Sequence, residues 1–362
     1  MALNYAEVWG KDLLEILIQE TLSSPFVTEN VKWLDAKTFH FTQMSTSGYK
    51  NHSRSGGWNS GEFTQTDKPF TVQHDRDIQF LVDKADVDET NATASIQNIS
   101  QTFEQTQVAP ETDALFYSKT AQVAQGLTSY HSSTATSDFT KVNVYSKLKT
   151  MLAAGKLRRY KAKGALVMYI DSTIMDLLEQ SSELQRKIEL TQVAEGGMGI
   201  ETRVTSIDGT PVLEVVDDER FYDRFDFDPT GGGFTPQVAE YAASTDAEVV
   251  SGKTYYTRSG SAGSYAYTVV ASPTGNPSTS SYYERTTQPA HKINVLIASP
   301  MTTKIVPKIS SIYYFEPGAH TAGDGYLYQN RSLSDVFTFP NGKDGNVDSV
   351  YVDVATAEYT AV

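Results

Sequence analysis

From Asp86 to Gln125 the chain carries two polar helical patterns end to end, and this stretch limits the rest of the fold more than any other. Asp86 and Glu89 stand at capping-box spacing, which supplies acceptors for the first orphan amides of a helix. Ala92, Ile96, Ile99 and Phe103 follow at steps of four, three and four, forming one narrow apolar stripe. Thr93, Gln97, Asn98, Gln101, Glu104 and Gln105 fill the other faces, so the helix is predicted to lie across a sheet as a strut. Pro110 disfavours helix at Ala109 but suits the first turn of a new one, and Ala114, Tyr117, Ala121 and Ala124 give that second helix a stripe of its own before Gly126.

A strut needs a surface to cross, and the flanks supply candidates. Val8 to Glu20 reads as a short amphipathic helix with Trp9, Leu13, Ile16 and Leu17 on one side, followed by an extended Phe26 to Leu34. Thr38 to Met44 and a run from Phe70 through Val82 are patterned as strands. Between them, Ser45 to Lys68 holds four glycines with Lys50, His52, Arg54 and Trp58 and almost no aliphatic residue. A tip without a core is predicted to protrude and to lie on a neighbour.

The second half reads as α+β. Val142 to Ala154 is a helix closed by Gly155, and a basic patch from Leu157 to Lys163 precedes the continuous apolar run Ala165 to Ile170, a fully buried strand. Asp171 and Ser172 cap a helix, Ile207 to Val216 is strand, tight turn and strand, and Ile293 to Ala298 completes the domain. From Gly231 to Gln288 the texture changes to Tyr, Thr, Ser, Gly and Pro, with strands expected at Thr254–Thr257, Ser264–Val270 and Ser281–Glu284. This is a small inserted β module, whose Tyr255, Tyr256, Tyr265, Tyr282 and Tyr283 are candidates for a binding surface. Strands then return at Ile309 to Phe315, Leu333 to Phe339 and Val347 to Val354, the last two joined by a turn through Asn341-Gly342 and Asp344-Gly345.

Charge and composition remove several functions. The 44 acidic against 30 basic side chains leave a net charge of -14, which argues against tight non-specific binding to DNA or an anionic membrane. With no cysteine, neither disulfides nor thiolate metal sites can hold the structure. The N-terminus lacks a signal-peptide pattern and no run reaches membrane-spanning length, so folding in a cytosol is expected. Gly252-Lys253-Thr254 ends like a phosphate-binding loop, but Ala247 stands where its first glycine belongs and a strand follows. Asp217, Asp218, Glu219, Asp223, Asp226 and Asp228 could hold a divalent cation, although the interleaved Arg220, Arg224, Phe and Tyr suit a solvated or interface-facing strand better. His74-Asp75-Arg76-Asp77 pairs imidazole with carboxylates, yet strand alternation sends neighbours to opposite faces. No nucleophile elbow occurs, so no enzymatic activity and no cofactor are expected.

The order of these elements, from N-terminal arm and glycine-tipped hairpin through polar strut and α+β domain to a C-terminal return to strands, resembles the major capsid proteins of tailed bacteriophages with the Hong Kong 97-type fold. The stretches Asp86 to Asn91 and Thr106 to Ala114 are similar to the spine helix and following helix of siphophage members. The resemblance implies an N-terminal arm at 1–35, an extended loop at 36–81, a peripheral domain at 82–129 and 311–362, and an axial domain at 130–230 and 289–310, with the inserted module at 231–288. It implies a structural protein that assembles with itself as hexamers and pentamers into an icosahedral shell around double-stranded DNA, without sequence-specific binding and without a membrane. Assembly would take place in the host bacterial cytoplasm, and the protein would reside in the virion. Lys50, His52, Arg54 and Trp58 would then be inter-subunit contacts of the loop tip, and Ile96, Ile99 and Phe103 the packing face of the spine. Some members weld a lysine to an asparagine, for which Lys50 with Asn330 or Asn341 would be the pair, though no motif marks them. No long N-terminal coiled coil is present, so a separate scaffolding protein is expected, with a portal and a decoration protein as further partners. A secreted β-rich adhesin or glycan-binding protein is the alternative, resting on the tyrosine-rich module.

Overall fold

The computed structural model describes residues 21–28, 33, 35, 37–52, 56, 58–84, 96–181, 188–191, 202–261, 264–321, 323–341 and 345–360. The helix expected over Val8 to Glu20, the capping box of Asp86 and Glu89, Ala92 and Arg54 lie outside the described residues. Val167–Asp171 is buried at every position and takes the centre of a seven-stranded sheet. The strand order is His131–Ser133, Val350–Glu358, His291–Ala298, Val167–Asp171, Thr210–Val215, Thr202–Ile207, Ile188–Thr191. Alternation along the central strands divides the core in two. Met168, Ile170, Val295 and Ile297 meet Val144, Leu148 and Leu152 of helix Val144–Leu152, with Ile174 and Leu178 of helix Ser172–Glu179. Val167, Tyr169 and Leu296 meet Phe26, Phe116, Tyr117 and Phe221 on the other face. Each such side chain, fully buried, contributes about 1.5–3 kcal/mol.

Two expected strand assignments are corrected. The run from Phe70 through Val82 is two strands in different sheets: Phe63–Thr71 pairs with Thr38–Thr46 as a hairpin, and His74–Asp83 joins a three-stranded sheet beside Gly325–Thr338 and Thr303–Phe315. The ladder breaks where Val72 donates to the Lys37 carbonyl at 2.9 Å and Gln73 to Asp335 at 3.1 Å. Val350–Glu358 is not the hairpin partner of the preceding strand but pairs with His291–Ala298 inside the seven-stranded sheet, away from the 311–362 grouping expected for it. The reason is burial on both faces: Tyr351 and Asp353 are as enclosed as Val350, Val352 and Val354, which only an interior strand permits.

The two expected helices form one continuous rod. Helix Ile96–Phe103 runs into a π-helical segment Glu104–Val108 and then into helix Ala109–Gln125. Pro110 cannot donate a backbone hydrogen bond, and the wider turns just before it, in which the Ala109 amide reaches back to the Glu104 carbonyl, carry the chain past without a break. The second helix is enclosed beyond its expected stripe, because Leu115, Phe116, Ser118 and Thr120 are buried along with Ala114, Tyr117, Ala121 and Ala124.

The inserted module is a single four-stranded sheet in the order Glu240–Ala243, Tyr282–Thr287, Tyr256–Ser261, Ser264–Val269, the first strand being one the sequence pattern did not reveal. Pairing of Glu240 with Thr287 closes its neck. The Gly231-Gly232-Gly233 run that opens the module has φ of 131°, 81° and 76°, which side-chain-bearing residues rarely adopt. It is also held in place, since Arg76 donates to the Gly233 carbonyl at 2.9 Å.

Candidate assembly interface

The hairpin has an anchored base and a free tip. At the base, Phe39 packs against Phe70, Phe337 and Phe339 with ring centroids 5.6, 5.1 and 6.3 Å away, and Lys308 lies over Trp33 at 3.9 Å. From there nine-residue strands carry the chain outward, roughly 26 Å at about 3.3 Å per residue. The tip is closed by polar staples: Ser47 donates to the Glu62 carbonyl at 2.8 Å, Lys50 Nζ to the Ser60 carbonyl at 3.0 Å, and Asn59 to the Asn51 carbonyl at 2.9 Å. His52 stands 6.4 Å from the Trp58 ring, which is 97% exposed, and Tyr49 is exposed as well. A bare indole on a polar loop is a candidate contact residue, because burying it against a partner would remove a large apolar area from water.

Along the strut, Ile99 joins Phe80, Val82, Tyr326 and Tyr328, and Phe103 meets Phe80 edge-on at 5.4 Å. Both are half-buried on strands Gly325–Thr338 and His74–Asp83. Ile96 opens the helix as its first residue. Glu104 accepts from Tyr328 at 3.2 Å and from Asn330 at 2.7 Å, so Asn330 is engaged within its own subunit, as is Asn341, which donates to Asp348 at 2.7 Å.

Three carboxylates of the acidic run, Asp217, Asp218 and Asp223, form internal ties rather than a metal cage. Arg220 is fully buried and donates to Asp113 at 3.1 Å and to Asp217 at 2.8 Å. Asp113, also fully buried, accepts from the Leu22 amide at 3.0 Å and from the Ser23 amide and hydroxyl at 3.0 and 2.6 Å, so it clamps the incoming chain to the long helix. Burial pushes the Asp113 carboxyl up, against the pull of the Ser23 and Leu22 hydrogen bonds and the Arg220 guanidinium. Asp223 is tied to the His291 amide, Gln125 and Arg224. Lys292 lies 2.8 Å from Asp171 and 2.9 Å from Asp218 as ion pairs. His74 and Arg76 share Glu111 at 3.1 and 2.9 Å, while Asp75 faces the other way to Arg331. Lys253 is bound by Asp246 and Glu284. Among the described residues no group of three or more His, Cys, Asp or Glu is placed to hold a metal ion, and no helix is long and apolar enough to cross a membrane.

The tyrosine candidates of the module divide. Tyr255 is buried with its hydroxyl on Asp246 at 2.6 Å, and Tyr256 is buried as well, which removes both from any binding surface. Their position in the sequence hid this, because Tyr255 stands just before strand Tyr256–Ser261, where strand alternation does not apply. Tyr265 is exposed and Tyr283 half-buried, with Arg258 between their rings at 4.2 and 4.7 Å. Tyr282 is half-buried against Tyr255. Arg285 leaves the module to bond Glu358 of the seven-stranded sheet at 2.9 Å.

No protein-family model matches this sequence, and no curated protein matches it. Solved structures do. A chain of the bacteriophage PhiM1 mature capsid superposes with a TM-score of 0.54 at 11% identity, over 97% of this chain and 91% of that one. A chain of the capsid of cyanophage P-SCSP1u gives 0.54 at 10% identity over 98% and 94%, and one from Mycobacterium phage Che8 gives 0.51 at 12% over 96% and 96%. The fold is of the Hong Kong 97 type. Sequence reading of this Hong Kong 97-type chain missed Asp113 and its pairing with Arg220, although one signal was present: Asp113 falls beside Ala114 and one turn from Pro110 and Tyr117, a charge on an otherwise apolar face.

Proposed function

We propose that this chain is a major capsid protein, associating with itself as hexamers and pentamers into an icosahedral shell that encloses double-stranded DNA. It is made in the cytoplasm of a bacterial host and resides in the virion. The observation that carries this reading is the match of nearly the whole chain to nearly the whole of a bacteriophage capsid chain. The projecting hairpin, with Trp58 bare at a tip that has no core, supports it from the physical side. In this reading the hairpin is the extended loop that lies over a neighbour, the rod from Ile96 to Gln125 is the spine, and the seven-stranded sheet is the axial domain. The role is structural rather than catalytic, since Asp217, Asp218 and Asp223 of the acidic run and Lys253 are engaged in internal ties. A scaffolding protein, a portal and a decoration protein are the further partners. The adhesin reading is not favoured, because two of the five tyrosines it relied on are buried.

Negative-stain microscopy with sedimentation of the purified chain tests the reading. Shells or rings of identical copies are expected. A monodisperse monomer at every concentration and salt would refute it.

A further inference from the structure

Two segments that cover opposite faces of the seven-stranded sheet carry opposite charge. Eight Lys and Arg fall between Lys141 and Lys163, and no Asp or Glu occurs between Asp138 and Asp171. This segment is anchored on one face of the sheet through Val144, Leu148, Leu152 and Leu157. The segment from Asp217 to Asp228 has six carboxylates against two arginines. It is anchored on the opposite face through Phe221 and Phe227. Internal pairing uses up part of each set. Lys149 and Lys161 hold Asp208 at 3.4 and 2.7 Å in a cleft of about 900 Å³ with Arg158 on its wall, and both arginines of the acidic segment are tied to Asp113, Asp217 and Asp223. Helix Ser172–Glu179 brings an exposed Asp176 to the same face as the basic segment, and what the two segments themselves leave over is matched in number. Lys141, Arg158 and Lys163 are exposed without an ion-pair partner among the described residues, and so are Glu219, Asp226 and Asp228.

We propose that the basic layer of one copy docks on the acidic layer of the next, so that copies associate head to tail within a ring. The occupant is a second copy of this chain. With the basic segment set aside, the remaining residues hold 22 cations against 44 anions, so any neighbouring copy presents the complementary charge. A contact between two different patches on opposite faces is heterologous, the kind that generates rings when the rotation closes. Complementary potentials set its register and exclude the back-to-back arrangement, in which like charges meet. The Asp208 clamp already shows that a carboxylate fits between the amino groups of this layer.

The proposal rests on the capsid reading, and reversal of each layer tests it separately from that reading. One variant carries Lys141→Glu, Arg158→Glu and Lys163→Glu; the other carries Glu219→Lys, Asp226→Lys and Asp228→Lys. Each alone is expected to lose rings and shells while keeping the circular dichroism and urea midpoint of the parent, since all six side chains are exposed. The chain with both sets reversed is expected to recover assembly. A mixture of the two single variants is expected to form rings only of even copy number, because the copies must alternate. Assembly of the parent should weaken between about 0.1 M and 1 M salt, as the Debye length falls from about 10 Å to 3 Å. If reversal unfolds the chain, the triple change to Gln on the basic layer replaces it, with the same loss expected. Normal rings from both single variants, with an assembling parent, overturn the proposal and leave the capsid reading standing. A parent that never assembles overturns both. Low-salt binding of duplex DNA that only the basic-layer variant loses, with assembly unchanged, overturns it in favour of a polyanion surface.

Discussion

Replacing Asp113 by Ala should cost the isolated subunit about 4 kcal/mol or more. Arg220 is fully buried, its guanidinium cannot shed its charge, and the change takes away its fully buried carboxylate partner while Asp217, the other carboxylate it pairs with, is about a third exposed. Orphaning one member of a buried pair costs about 3–5 kcal/mol. The Leu22 amide and the Ser23 amide and hydroxyl lose their acceptor at the same time, at about 1 kcal/mol each before any rescue by water. These terms share one carboxylate and do not add in full. Asp113→Leu combined with Arg220→Met should therefore be much less harmful than the sum of its parts, because it removes both charges. Urea unfolding of dissociated subunits gives the cycle. Amide hydrogen exchange adds a local readout, since the single change should release protection at Leu22 and Ser23 before the rest of the core. A loss below about 1 kcal/mol for Asp113→Ala, with Leu22 and Ser23 still protected, would show that the pair does not hold the arm and would refute the reasoning.

Phe103→Ala should cost about 1.5–2.5 kcal/mol, roughly half the usual value for a buried phenylalanine because the ring is half-exposed beside Phe80; a urea midpoint equal to the parent's would count against strut packing. Trp58→Ala should leave folding unchanged but reduce shell yield in sedimentation, and normal shells would remove the tip from the interface. Gly155→Ala should destabilise by about 1–2 kcal/mol or more, as Gly155 has φ of +50° and an added Cβ would meet the Tyr130 ring at 2.5 Å; thermal melting decides. The Asp208 carboxyl is held below its ordinary range by the Lys161 hydrogen bond, with burial opposing and Lys149 assisting. A depressed carboxyl stabilises above its unfolded value and loses that contribution as pH falls through the lower folded value, so NMR titration should find the Asp208 midpoint below that of an aspartate in the unfolded chain. Replacing Phe234 to Thr287 by a short Gly-Ser linker should still give shells of normal diameter in micrographs, whereas loss of capsomers would place the module inside an interface.

Period and texture were legible in the chain; enclosure was not. Val167–Asp171 announced itself as a short continuous apolar run, and the turn at Asp208-Gly209 by residues that tolerate positive φ, observed at 51° and 78°. The module's edges were visible as a drop in charge. By contrast, the turn through Asn341-Gly342 and Asp344-Gly345 suggested that the last strand lies beside its sequence neighbour, and the enclosure of Asp353 and Tyr351 was not legible. They are buried because Asp353 accepts from Thr134 and from Asn294 at 2.8 and 2.9 Å, partners more than fifty residues away. The same blindness hid the Asp113–Arg220 pair, whose members are 107 positions apart. Local patterns carry the direction of a side chain, but the partner that makes a buried charge tolerable comes from tertiary structure. The hairpin was legible as a hairpin, while its return strand starting at Phe63 and ending at Thr71 was not, since Thr64 to Lys68 is too polar to read as paired.

The wide-turn segment Glu104–Val108 gives the rod two orientations in one body. Each residue of an α-helix advances the chain by about 100°, so one surplus residue re-phases everything downstream by that amount. Upstream of it Ile99 and Phe103 grip the three-stranded sheet; downstream Phe116 and Tyr117 grip the seven-stranded one. The segment thus works as a fixed angular offset between two bearings on one shaft. Removing a single residue there would leave every local preference intact and still force one of the two grips to face the wrong way.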